Sequence, residues 1–139
     1  MTAKQYLSQV RRLRHLVKRE QDQIAEIRAM AESVGAIRYD KDIVQSSPTN
    51  DALPNYMIRL TEAETRAQQK IEEYFDLMTT VRKQLDQITP GLYSDILYMR
   101  YIEGKNLYRI AEELNYSHEW IRHAHGRALQ AFERKFLQS

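Results

Sequence analysis

Cysteine is absent from the 139 residues. That excludes disulfides, thiolate nucleophiles and Cys-based zinc sites. Glycine and proline are scarce, at four and three residues. No G-x-S-x-G elbow, glycine-rich phosphate loop or P-loop occurs, so the usual signatures of acyl and phosphoryl transfer are missing. No apolar run approaches the length of a membrane span, and no signal-peptide core follows the first methionine. These absences point to a cytoplasmic protein that is not an enzyme and carries no cofactor. What is present is 42% hydrophobic and 29% charged residues, a helix-rich composition rather than a disordered one.

The net charge is only +2, but it is unevenly placed. Residues 1–19 hold six basic residues (Lys4, Arg11, Arg12, Arg14, Lys18, Arg19) and no acid, whereas residues 36–89 hold seven basic and nine acidic residues. From His118 onward there are four basic residues, two acids and three histidines. Basic ends around an acidic middle permit DNA contact at either end. The N-terminal run also flanks an apolar seam, where ion pairs to a partner helix are the plainer reading.

That seam is a heptad stripe through Tyr6, Val10, Leu13, Val17, Ile24, Ile27, Ala31 and Val34, with Glu20 in its one polar slot. It predicts a helix from Ala3 to Val34 that stops at Gly35. A second stripe runs through Met57, Leu60, Ala67, Ile71, Tyr74, Met78, Val81, Leu85 and Ile88, with Glu64 in its polar slot, and Pro90 and Gly91 close it. Each helix of some 30 residues would be roughly 45 Å long. The segment 36–53 reads as a loop, with a short extended piece at 36–39. Two long apolar seams need covering. The fold class expected is all-α: a long antiparallel, coiled-coil-like two-helix hairpin over residues 1–89, then a C-terminal three-helix lobe over 91–139. Pairing of the long helices across copies would make the chain a homo-oligomer.

The lobe carries the most informative stretch, residues 106–136. Leu92, Ile96, Met99 and Tyr101 or Ile102 space a supporting helix that Gly104 ends. Asn106 caps the next helix, with Ile110, Ala111 and Leu114 on one face. Small Ala111 lets two helices cross closely. Asn115 and Tyr116 turn the chain, Asn tolerating the left-handed backbone required. Ser117 caps the following helix, and Ile121, Ala124, Ala128, Leu129, Phe132 and Phe136 face the core. This is a helix-turn-helix, with His118, Glu119, Trp120, Arg122 and His123 pointing outward.

The strings "RIAEELNYS" and "IRHAHGRALQAF" resemble region four of the bacterial sigma factors, which carries I-A-x-x-L-G-x-S and then a basic helix. "DILYMRYIEGKNL", residues 95–107, is similar to the lead-in of that region. The resemblance covers residues 92–137, with Asn115 where the family has glycine. The length, "VQSS" (residues 44–47) and "RYIEG" (residues 100–104) resemble phage-encoded late transcription regulators of the ArpU and RinA type. The sigma resemblance implies base contacts at His118, Glu119 and His123, and base or backbone contact at Arg122. Sigma factors begin this helix with Arg-Glu and this chain with His-Glu, which removes a bidentate guanine contact and implies a different recognition sequence. Glu119 can accept from a cytosine amino group, and Trp120 can pack on thymine methyls, on sugars or on its own lobe. Lys105, Asn106, Arg109, Ser117 and Arg127 are candidate phosphate contacts.

HEWIRH, residues 118–123, looks like the zinc-protease HExxH but spaces its histidines five apart, about 140° round the helix instead of about 40°. No metal site is expected. The function expected is a sequence-specific activator of phage late genes on double-stranded DNA. Two other readings are an adaptor that docks on RNA polymerase and a small terminase-like packaging subunit. In the packaging subunits the DNA-binding lobe comes first, opposite to the order here.

Overall fold

The computed structural model of the chain describes residues 1–41 and 52–138, and for residues 34–41, 52 and 53 the helix path alone. The described residues are helical almost throughout, with no strand among them. The elements are α1 (Ala3–Lys41), α2 (Ala52–Leu85), α3 (Gly91–Leu97), α4 (Leu107–Leu114) and α5 (His118–Phe132). Wide π-type turns extend α3 over Tyr98–Ile102 and α5 over Glu133–Leu137. No described helix is long and apolar enough to cross a membrane.

Helix α1 opens on a capping box. Thr2 Oγ1 accepts from Gln5 N at 3.2 Å, and Gln5 Oε1 accepts from Thr2 N at 2.9 Å. Two amides that the first turn would leave unpaired are thereby satisfied. The helix does not stop at Gly35; it runs on to Lys41, so residues 36–39 are helical rather than extended. One interior glycine costs only about 1 kcal/mol relative to alanine, and good helix formers on both sides absorb that. The expected loop is correspondingly shorter. Its remainder, including "VQSS" and Pro48, lies outside the described residues. Pro54 sits in the first turn of α2, where no amide partner is lost. Helix α2 ends at Leu85, short of Ile88, although Ile88 remains buried.

The chain divides into two compact units, Met1–Arg14 with Glu73–Ser139, and His15–Glu72. In the second, Ile27, Ala63 and Ala67 are buried. Arg66 Nε lies 3.5 Å from Glu20 Oε2, and Arg28 donates to Glu64 Oε1 at 3.0 Å. The partner number falls as the α1 number rises, so the helices run antiparallel. The α1 stripe is buried or half-buried at each position from Tyr6 to Ala31. The α2 stripe needs one correction. Tyr56, Leu60, Ala63 and Ala67 face inward, while Met57 is 51% exposed and Glu64 turns out to Arg28. The observed seam keeps the four-three spacing and places Ala63, rather than the charged Glu64, at the buried position.

In the first unit, Ala3, Leu7 and Val10 of α1 join Val81, Leu85 and Ile88, Leu97, Tyr101 and Ile102, and Ala128 and Phe132 of α5 in one core. Tyr6 lies against Phe132, ring centroids 5.7 Å apart and planes tilted by 30°, and donates from its hydroxyl to Gln84 Oε1 at 2.8 Å. Arg14 Nε donates to the Tyr74 hydroxyl at 3.1 Å, and the same guanidinium donates to the Ile102 carbonyl. Both Tyr101 and Ile102 are buried, where simple helical spacing allowed one of them. The reason is the wide turn. Glu103 N reaches back five residues to Tyr98 O, which brings two neighbouring side chains inward.

Candidate nucleic-acid interface

The helix-turn-helix is built by its caps. Asn106 Oδ1 accepts from Arg109 N at 2.8 Å and starts α4. Asn115 stops it in the left-handed conformation, φ 62° and ψ 43°. The next amide, Tyr116 N, donates to Ala111 O at 3.0 Å. Ser117 Oγ then accepts from Trp120 N at 3.1 Å and starts α5. Two helices and their turn thus rest on two capping side chains and one left-handed backbone, at residues that the sequence marks. A second core cluster of Ile96, Met99, Ile110, Ala111, Ile121 and Ala124 holds α3, α4 and α5 together. Ala111 and Ala124 are both 4% exposed, and their small side chains permit the close crossing.

The outward side of α5 presents Glu119, Trp120, Arg122, His123 and Arg127, all exposed. His118 is half-buried, because Tyr108 of α4 covers it with ring centroids 3.7 Å apart and planes 3° from parallel. Tyr116 stacks on Trp120 in the same way, at 4.3 Å and 12°. Two of the outward residues are therefore held by tyrosines at the helix entry. Sequence reasoning gave Tyr108 no role and saw Tyr116 only as a turn residue. The Tyr116–Trp120 pair has the four-residue spacing of helical neighbours, a usable signal. Tyr108 and His118 meet only because the two helices cross.

The candidate phosphate contacts are not equivalent. Lys105 Nζ lies 2.7 Å from Glu113 and 3.4 Å from Glu103, and Arg109 Nε lies 3.2 Å from Glu113. The hydrogen bond from Lys105, then that from Arg109, holds the Glu113 carboxyl below its ordinary range, and Glu113 in turn raises the Lys105 ammonium. Glu113 thus gathers both cations on the α4 side. Asn106 and Ser117 spend one acceptor each on caps but keep donors, the amide NH2 and the hydroxyl hydrogen. Arg122 and Arg127 form no ion pair with any described residue.

No sequence motif assigns a role to His125. It is half-buried, with Nε2 2.9 Å from the Tyr101 hydroxyl and its ring stacked on that tyrosine. Burial first, then the charges of Arg100 and Lys4, lowers its pKa to about 4. It is neutral at pH 7 and ties α5 to the turn after α3. The Tyr101 hydroxyl is pushed up by burial, against smaller opposing effects of Arg100 and Arg11. Among the described residues no group of three His, Cys, Asp or Glu side chains is placed to hold a metal ion.

Residues 93–132 match the family described as Sigma-70, region 4, a DNA-binding helix-turn-helix domain that acts in transcription. The match runs from Tyr93 in α3 to Phe132, the last residue of α5. No curated protein and no solved structure matches the chain.

Proposed function

We propose that this protein is a sequence-specific DNA-binding regulator of transcription that lays α5 in the major groove. The observation that carries the reading is a fully capped helix-turn-helix, similar to sigma region four, whose second helix leaves Glu119, Trp120, Arg122 and His123 exposed. His118, Glu119, Trp120, Arg122 and His123 read base edges. Lys105, Asn106, Arg109, Ser117 and Arg127 contact phosphates and fix the register. The long helices bring two copies together, so that two lobes address half-sites about one helical turn, roughly 34–36 Å, apart. The setting is activation of phage late genes, supported by the resemblance to the ArpU and RinA type.

The test is a selection from sheared host and phage DNA at about 0.15 M salt, followed by sequencing of the bound fragments. Sharp enrichment of one or two sites is expected, with Arg122→Ala and His123→Ala each moving the preferred sequence. If neither substitution moves it, α5 is not the recognition helix. Flat recovery that disappears with added salt, together with capture of RNA polymerase without DNA, would replace the regulator with an adaptor.

A further inference from the structure

The basic residues of α1 do not share one fate. Arg14 is consumed inside the fold by Tyr74 and the Ile102 carbonyl. Lys18 pairs with Asp22 at 3.7 Å. Lys4, Arg11 and Arg12 are exposed and form no ion pair with any described residue. Among the described residues, no acid of a neighbouring helix pairs with any of these three. Unpaired cations without a local acid are a standing cost in self-repulsion that an anionic partner removes.

Their location supplies the partner. Residues 1–14 belong to the same compact unit as the helix-turn-helix. Ala3, Leu7 and Val10 are buried in one core with Ala128 and Phe132 of α5, and Tyr6 lies against Phe132. The first turns of α1 are thus seated on the C-terminal half of α5. Lys4 and Arg11 are two helical turns apart on one face of α1, about 10 Å along the axis. Lys4 lies within electrostatic reach of His125 on α5, Arg11 within reach of Tyr101, and Arg100 within reach of both. No acid acts on either ring, and residues 1–19 contain none. A positive strip on α1 therefore flanks α5.

We infer that Lys4 and Arg11 form a second phosphate-binding patch, which holds the DNA strand flanking the groove that α5 enters. The inference rests on the proposed DNA-binding role and extends the contact surface to an element outside the helix-turn-helix. Such contacts add affinity for any duplex and no sequence preference, because every step of the backbone presents the same charge.

The experiment measures binding of the full chain to a short random-sequence duplex and to a selected site, as a function of salt. Lys4→Ala and Arg11→Ala are compared with Lys83→Ala, which removes an exposed cation from α2. Each patch variant is expected to lower the salt slope by about 0.9, on both duplexes alike. For the double variant, the wild-type advantage then shrinks roughly twelve-fold between about 0.05 and 0.2 M salt. Lys83→Ala should keep the full slope, and unchanged melting curves would show that the exposed substitutions spare the fold. Wild-type slopes in both patch variants would overturn the inference, even if α5 reads DNA as proposed. Lowered slopes with site choice indifferent to Arg122→Ala and His123→Ala would uphold the patch and remove the recognition role of α5. Failure of the wild-type chain to bind any duplex would end both.

Discussion

Gly126→Ala and Gly104→Ala make the same chemical change with opposite expected signs. Gly126 lies inside α5, and a Cβ built there meets nothing within 4 Å. Alanine removes backbone freedom from the unfolded chain and adds no clash, so the variant should be more stable by about 0.5–1 kcal/mol. For a chain of this size that raises the melting temperature by roughly 2–4 °C. Gly104 has φ +77°, which an L side chain adopts at a cost of about 1–2 kcal/mol. Space is not the obstacle there, because the nearest atom to an added Cβ is Arg14 Nη1 at 3.8 Å. Far-UV circular dichroism melts of the two variants, run beside urea titrations, decide the matter. A melting point at or below wild type for Gly126→Ala would refute the reasoning, since nothing in the free protein opposes the methyl group. Gly126 also follows Arg122 by four residues and His123 by three, on the same side of α5. If that side lies against DNA, the stabilised variant should bind its site more weakly than wild type. Tighter folding with unchanged binding would show that DNA does not approach the helix there.

Two further outcomes follow from the titratable groups. His125 titrates at about 4 when folded and near 6.5 when unfolded, so the unfolded state takes up its proton first as pH falls. Its share of stability is complete above about pH 6.5 and is lost progressively towards pH 4. Allowing for its partial exposure, the loss is of the order of 1–2 kcal/mol. Urea titrations at either end of that window should show His125→Gln losing less than wild type; equal losses would rule out His125 as the source. Glu113→Gln should release Lys105 and Arg109 and raise affinity for random-sequence duplex at low salt, with the gain fading as salt is added. An affinity no higher than wild type would mean that neither cation reaches a phosphate.

Much of the lobe was legible because its signals are local. Asn106, Asn115 and Ser117 each act on backbone groups within a few residues, so their chemistry names the helix ends without reference to the rest of the chain. The α1 stripe was legible for the same reason, since burial repeats with the helical period. The Thr2–Gln5 capping box was equally local and went unread. Gly35 misled because a glycine marks a helix end only when the following backbone turns left-handed, and there the helix simply continues.

The sequence by itself determined the helices of the lobe, the turn between α4 and α5, and, His118 apart, the residues that face outward from the second of them. Periodicity and capping are properties of near neighbours along a chain, and they survive being read without coordinates. Only the tertiary structure decided that Tyr108 covers His118, that Glu113 gathers Lys105 and Arg109, that His125 sits against Tyr101, and that the first turns of α1 rest on α5. Each of these, except the short Arg109–Glu113 pair, joins side chains from different elements. Which groups meet there depends on helix crossings and burial, and no local pattern encodes that.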